Sequence, residues 1–232
     1  MDDSAQFEEF LTSVDRDGAL AETRTRAERT ISRRSLFGLV LVGTGAIAGA
    51  RVPGAAAAGL SASDIDILNY ALVLEYLQSS FYTEAERSGA LSGKTAEAAR
   101  FVGATERAHV RAFHKLLGSK AVKRPTFNFQ GTTEQQRPFL KTAVAFEDLA
   151  VAAYKGQAPK LRSNAVLTAA VGIHSVEARH AAWMRELFGI TPAVHAFDQP
   201  ASRASINRIV ASTKFIVSKP HMKATKKPKY TG

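Results

Sequence analysis

Six residues of this sequence combine the side chains and the spacing needed to bind a pair of metal ions. They are Glu75, Glu106, His109, Glu147, Glu177 and His180. In the two Glu-x-x-His motifs, which begin at Glu106 and Glu177, the spacing places both side chains on one helix face. Carboxylates and imidazoles are ligands for Fe and Mn, and four buried carboxylates need compensating positive charge. The set predicts a dinuclear site, whereas a single motif would be read as an ordinary solvated helix face.

The six residues belong to an internal repeat. The single glutamate of each half precedes the glutamate of its motif by 31 or 30 residues. Tyr82 and Tyr154 each follow the single glutamate by seven residues, and a glycine follows each motif histidine by nine. Two helix hairpins of one design, related by a pseudo-twofold axis, would bring both halves together. The two tyrosines are candidates for redox chemistry or hydrogen bonding near the ligands, and the alternative is that they are core aromatics.

Apolar residues at spacings of three and four predict the helices that position this set. The four long helices are expected at about 64–86, 95–117, 133–155 and 162–188, with Ser63 as the first N-cap. Each has one apolar stripe with a glutamate near its middle, which is typical of a four-helix bundle. The segment between the second and third helices suits a crossover between hairpins. No run alternates for long enough to predict a strand, so the predicted fold class is all-α.

We divide the chain into an N-terminal extension (1–58), the bundle (59–200) and a short helix with a basic tail (201–232). Residues 1–58 are similar to a twin-arginine (Tat) export signal. Arg33 and Arg34 precede the apolar run Leu36–Ala50, and Gly54–Gly59 offers small-residue cleavage sites. The run has 15 residues, short of the ~20 that span a bilayer. We expect export by the Tat route to the periplasm, envelope or exterior; an uncleaved anchor and a chance arginine pair are the alternatives.

Composition excludes several kinds of site. With no cysteine, the chain has no disulfide scaffold, thiolate zinc site or iron–sulfur cluster. The formal net charge is +10, and residues 203–232 contain 8 Lys and Arg and no acid. Such a run is typical of a solvated tail, and the alternative is attraction to an anionic envelope surface. Export argues against nucleic acid as a partner. In the short helix, Ile206, Ile209 and Val210 are expected to pack on the bundle.

A family resemblance covers about residues 63–217. The residues that carry it are Leu74–Leu77, Phe81-Tyr82, Glu106–Val110, Pro125–Phe127, Glu147–Tyr154, Val176–Ala182 and Phe197-Asp198. On these motifs the chain resembles the ferritin-like superfamily, and within it the desiccation-related group. Di-metal bundles of that superfamily take one Glu from each of two helices and Glu-x-x-His from the other two. The resemblance implies Glu75 and Glu147 as single ligands, and the two motifs as paired ligands, of two Fe or Mn ions.

The resemblance leaves the activity open, because ferritin-like proteins include iron stores, ferroxidases, catalases, peroxidases and oxygenases. Our leading hypothesis is an exported protein whose dinuclear centre performs two-electron redox chemistry with O2 or peroxide. The alternative is a non-enzymatic desiccation, stress or envelope protein in which metal stabilises the fold. A third reading, metal storage, would require a large shell-forming oligomer, and a smaller homo-oligomer also remains open.

Overall fold

The structure is a computed structural model that describes residues 59–217. These residues form five α-helices, which we number in chain order. They are α1 (Ala62–Ser88), α2 (Gly93–Leu117), α3 (Gln136–Gln157), α4 (Asn164–Phe188) and α5 (Arg203–Thr213). Two short strands, β1 (Thr126–Phe127) and β2 (Ile216–Val217), form an antiparallel pair. The all-α fold class predicted from the sequence is confirmed.

Capping residues set the helix ends close to the predicted positions. The Ser61 Oγ accepts a hydrogen bond from the Asp64 backbone N–H at 3.1 Å, so the N-cap of α1 is Ser61 and the prediction of Ser63 is wrong. At α4, the Ser163 side chain accepts from the Val166 N–H. Gly89 and Gly189 end α1 and α4 in the left-handed conformation, with φ of 67° and 84°, which glycine adopts without a Cβ penalty.

The four long helices pack as two hairpins. Helix α1 packs mainly on α2, and α3 mainly on α4, while α1 also contacts α3 and α2 also contacts α4. Helix α1 lies deepest, with most of its residues from Tyr70 to Ala85 buried. The middle of the four-helix interface is therefore where side chains from all four helices meet.

The crossover between the hairpins covers an aromatic part of the core. The Phe81 ring is fully buried; it stacks on Phe139 at 5.1 Å between ring centroids and contacts Phe129 and Phe146 edge-on. Phe129 belongs to the crossover, and it also contacts Phe215 in the segment that follows α5. The aromatic cluster thereby fastens the crossover and the C-terminal segment to the bundle.

One feature of this region was not predicted, and one prediction for it needs correction. The strands β1 and β2 pair only two residues each, with Thr126 opposite Val217, and such a short ladder leaves no alternation in the sequence. Helix α5 confirms the short helix predicted after residue 201, and it buries Ile206 and Val210. Ile209 is 51% exposed, so its predicted packing on the bundle is wrong.

Glycine permits two close approaches of the backbone. A Cβ at Gly156 in α3 would lie 2.0 Å from the Ala201 carbonyl oxygen, and the Ala201 N–H donates to the Ala152 carbonyl at 3.0 Å. A Cβ at Gly103 in α2 would lie 2.9 Å from the Cβ of Tyr82. The first contact holds the segment before α5 on α3, and the second brings α2 close to α1 beside Tyr82.

The predicted export signal in residues 1–58 and the basic tail after residue 217 lie outside the described residues. Between residues 59 and 217, no helix combines the length and the hydropathy that a membrane span requires.

Candidate metal centre

The six residues singled out by their spacing meet at the centre of the bundle. Glu75, Glu106, Glu147 and Glu177 are 0% exposed, and His109 and His180 are 6% and 7% exposed. One glutamate comes from each long helix, and the two histidines come from α2 and α4. Each Glu-x-x-His pair faces inward because its helix buries the stripe on which both residues lie.

His109 lies among carboxylates from three helices. Its Nδ1 is 3.3 Å from Glu75 Oε2, 3.5 Å from Glu106 Oε2 and 3.1 Å from Glu177 Oε1. His180 has the equivalent surroundings in the other half of the bundle. Its Nδ1 is 3.0 Å from Glu106 Oε1, 3.5 Å from Glu147 Oε2 and 3.8 Å from Glu177 Oε2.

These contacts define two overlapping groups of ligand atoms. One group consists of Glu75, Glu106, His109 and Glu177, and the other of Glu106, Glu147, Glu177 and His180. In each group the four candidate ligand atoms lie within 4.8 Å of one another. Glu106 and Glu177 belong to both groups and present one oxygen to each histidine. The arrangement offers two adjacent cation positions that share two carboxylates.

Among the described residues, the lack of hydrogen-bond partners at the ligand atoms supports a fit to metal ions. Both oxygens of Glu106 and of Glu177, one oxygen each of Glu75 and Glu147, and both histidine Nδ1 atoms are buried. None of these eight atoms has a hydrogen-bond partner within residues 59–217, although they lie close together. A buried polar atom without a partner is costly, and here the unpartnered atoms are metal-ligand types that face one another. Divalent cations would satisfy all of them.

Positive charge at this site does not come from lysine or arginine. Within the described chain, the ion pairs of the four glutamates involve only His109 and His180. Arg107 instead pairs with Glu86 at 2.8 Å, and Arg185 pairs with Asp148 at 2.7 Å, outside the six-residue set. Metal ions or protons must therefore balance the carboxylates.

Two carboxyl groups hold protons strongly when no metal is bound. Burial, together with the negative charge of Glu177, raises the pKa of Glu106 to about 8. Burial also raises the pKa of Glu147 to about 7, although the nearby His180 opposes the shift. Protons on these two groups would compete with a metal near neutral pH.

The pKa values of the two histidines and of Glu177 shift so that the ionised form of each side chain is favoured. Burial by itself would lower the pKa of His180, but the surrounding carboxylates raise it to about 12. The pKa of His109 is likewise raised well above its usual value by Glu75, Glu106 and Glu177, against the effect of burial. Burial would raise the pKa of Glu177, but the two histidines lower it to about 2. Metal binding at Nδ1 must therefore displace the histidine protons.

Tyr82 and Tyr154 do reach the carboxylates, but each reaches the opposite hairpin. The Tyr82 hydroxyl, on α1, donates to Glu147 Oε1 on α3 at 2.6 Å. The Tyr154 hydroxyl, on α3, donates to Glu75 Oε1 on α1. Burial and the nearby carboxylates raise the pKa of both phenols well above the usual value, so both keep their protons. Each single glutamate thus has one oxygen held by a tyrosine and the other directed to the cluster.

A comparison with known protein families agrees with this geometry. The sequence model described as "Ferritin-like domain" matches residues 63–189, more than half of the chain. The chain belongs to the ferritin-like family. The match begins in α1, ends with α4 and contains all six residues of the site. A search of curated proteins finds no match.

The ferritin-like match and the geometry together support a metal-binding bundle. The structure brings all six predicted residues into one buried cluster, and it places both tyrosines at the edge of that cluster. The exchange of tyrosines between hairpins was not predicted. Sequence spacing gives the distance of Tyr82 from Glu75 along α1, but it does not give the packing angle that directs the hydroxyl to Glu147.

Proposed function

We propose that this protein binds two Fe or Mn ions at the six-residue cluster and uses them for redox chemistry with O2 or peroxide. The observation that carries the proposal is the pair of four-residue groups sharing Glu106 and Glu177. When bound, such an ion pair supplies two electrons through changes of oxidation state and binds the oxygen substrate.

The protein's own residues hold the ions in place. Glu106 and Glu177 would contact both ions because each faces both histidines. Glu75 and His109 would complete one position, and Glu147 and His180 the other. The six candidate ligands leave water little access, since none is more than 7% exposed. Low exposure strengthens electrostatic interactions at the site.

Tyr82 and Tyr154 orient the single glutamates. Each phenol donates its proton to one carboxylate oxygen, so the other oxygen remains directed to the metal position. Partners of this kind fix the orientation of metal ligands and sustain affinity. Each hydroxyl also holds a proton beside a candidate metal ligand, Glu147 or Glu75. Reduction of O2 or peroxide consumes protons, and these hydroxyls could supply them.

The site of action is proposed from the N-terminal sequence. The arginine pair, the short apolar run and the small-residue segment support export by the Tat route to the periplasm, envelope or exterior. The basic residues after 217 support contact with an anionic envelope surface.

A second candidate is a stress or envelope protein of the desiccation-related kind with a structural metal site. It is favoured by the burial of the ligands, because all four carboxylates are 0% exposed, and a metal position filled entirely by protein ligands is typical of a structural site. In that case the ions would stabilise the helices without turning over a substrate.

Metal analysis followed by a turnover assay tests both candidates. The chain is expressed in medium supplemented with iron and manganese, and its metal content is measured by inductively coupled plasma mass spectrometry. Glu106→Gln/Glu177→Gln removes both shared carboxylates at nearly constant volume, and Glu97→Gln/Glu186→Gln removes two exposed carboxylates as the matched control. We expect about two ions per chain, retained by the control and lost by the site variant.

Peroxide consumption and ferrous-ion oxidation are then followed for the same three proteins. Turnover by wild type and control, but not by the site variant, supports the redox function. Two bound ions without turnover, and a lower melting temperature in the site variant, support the structural candidate. A folded wild type that binds no Fe or Mn would overturn both.

A further inference from the structure

A cavity whose chemistry differs from that of the metal centre lies beside the α1–α2 hairpin. Its volume is about 740 Å³, within the roughly 300–1,000 Å³ of small-molecule sites. The cationic side chains that line it are Arg87, Arg107, Arg111, Lys123 and Arg124. No aspartate or glutamate within residues 59–217 appears in its lining. The cavity contains none of the six candidate metal ligands, so it is a separate site.

The floor of the cavity is buried and polar. Tyr76 is 3% exposed and Ser79 is 6% exposed, and both line the cavity. The Tyr76 hydroxyl donates to the Val122 carbonyl at 3.2 Å and lies 2.5 Å from His114 Nε2. These contacts join α1, α2 and the segment after α2, and they hold the Tyr76 side chain in place at the base of the cavity.

The wall contains a guanidinium group held in place by the fold. The Nε and Nη2 atoms of Arg124 both donate to the Ser80 Oγ, at 3.2 and 2.5 Å. The Ser80 Oγ in turn donates to the Tyr76 carbonyl at 2.5 Å, and Ser80 is 0% exposed. A guanidinium that is already oriented loses less freedom when it binds an oxyanion.

Arg111, Lys123 and Arg124 form no ion pair with a carboxylate among residues 59–217. Glu86 pairs with Arg107 at 2.8 Å and balances that one charge. Burial lowers the pKa of the Arg124 guanidinium, and the positive charge of Arg87 lowers it further, whereas Tyr76 opposes the shift. Like charges held close together beside a buried floor favour an anion between them.

From the cavity, its cationic wall and its buried polar floor, we infer that this pocket binds a small organic molecule carrying two or more oxyanion groups. Arginine binds phosphate and carboxylate oxygens in the same bidentate manner, so the shared chemistry is the multiply charged oxyanion. The volume accommodates more than a single inorganic ion. No candidate metal ligand lines this pocket, so the inference does not rest on the proposed redox function.

Calorimetric titration of the full chain tests the inference. Fructose 1,6-bisphosphate probes phosphate esters, and tricarballylate probes carboxylates, both at fixed physiological ionic strength. Metal content measured before and after each titration identifies any heat that comes from metal extraction. Saturable binding of either probe at one site per chain is expected, and the tighter of the two assigns the oxyanion.

Three variants locate the binding. Arg111→Gln/Lys123→Gln removes two exposed lining cations, and Arg100→Gln/Lys141→Gln removes two exposed cations elsewhere as the control of equal charge. We expect about tenfold or greater weakening in the first and less than about twofold in the second. Ser119→Trp adds a bulky ring at a lining position and keeps every cation, so it should weaken binding about tenfold or more.

Circular dichroism verifies that each variant is folded. The inference is overturned if neither probe binds, or if the control weakens binding as much as the pocket variant. Full binding by a folded Ser119→Trp protein would also overturn it, because the anion would then lie elsewhere.

Discussion

Because each tyrosine contacts the single glutamate of the opposite hairpin, substitution of one tyrosine should change the affinity of only one of the two proposed metal positions. Tyr82 donates to Glu147, which faces His180, and Tyr154 donates to Glu75, which faces His109. Tyr82→Phe should therefore weaken the ion position of the α3–α4 hairpin, although the residue lies on α1. Tyr154→Phe should weaken the other position. Which position each substitution weakens follows from the contact of each tyrosine with the opposite hairpin.

The magnitude follows from the bond that is lost. A hydrogen bond to a charged group contributes about 1.5–3 kcal/mol, and about 1.4 kcal/mol corresponds to a tenfold change in affinity. The loss of a partner to a ligand typically lowers metal affinity by about 10–100-fold, in agreement with that range. Since the Tyr82 hydroxyl also lowers the pKa of Glu147, its removal should make protons compete more strongly as pH falls.

Competition with a chelator of known affinity, followed by metal analysis, measures the effect. Each single variant should lose one ion at a chelator concentration about 10–100-fold lower than wild type requires, and should retain the second ion. Tyr70→Phe is the matched control. The Tyr70 hydroxyl is buried and has no hydrogen-bond partner within the described chain, so its removal should leave metal affinity unchanged.

Two results would refute this reasoning. Wild-type affinity for both ions in Tyr82→Phe and Tyr154→Phe would show that the phenols do not support the ligands. An equal loss in Tyr70→Phe would show that any buried hydroxyl has the same effect, through general stability and not through the glutamates.

Three further predictions concern packing and protons. Gly156→Ala should lower the free energy of unfolding in urea by about 1–3 kcal/mol, because its Cβ would meet the Ala201 carbonyl at 2.0 Å; Gly172→Ala has open space and should raise it by about 0.5–1 kcal/mol. Phe81→Ala should cost about 3–5 kcal/mol, whereas Phe197→Ala, at a ring 77% exposed, should change the urea midpoint little. Metal binding near pH 7 should release protons and weaken from pH 8 to 6, because Glu106 (pKa about 8), Glu147 (about 7) and His180 (about 12) hold protons that the ions displace. Equal calorimetric heats in buffers of different ionisation enthalpy would contradict the last prediction.

Helix content and the membership of the central cluster could be read from the sequence. Stripes at spacings of three and four persist over more than 20 residues per helix, and that length makes the helical period unambiguous. The repeat alone places Glu75 and Glu147 in register with the two motifs, without any information on helix packing. A pattern that recurs within one helix, or between equivalent helices, predicts both the helix and the residues that face the centre of the bundle.

Features that depend on contact between distant segments could not be predicted. The pairing of Thr126 with Val217 joins residues from the crossover and from the segment after α5, and neither segment has a strand period. The cationic pocket combines α1, α2 and the segment after α2, whose arginines look like ordinary surface charge in the sequence. Ile209 has the spacing of a packed residue, but α5 lies on the bundle through Ile206 and Val210.

The exchanged tyrosines also constrain how the chain can change over evolutionary time. Tyr82 and Glu147 are 65 residues apart, and Tyr154 and Glu75 are 79 apart, yet each pair shares one buried proton. A substitution that removes a hydroxyl in one hairpin leaves a carboxylate uncompensated in the other. Homologous sequences should therefore show correlated substitution at 82 with 147 and at 154 with 75, and weaker correlation between each tyrosine and the glutamate on its own helix.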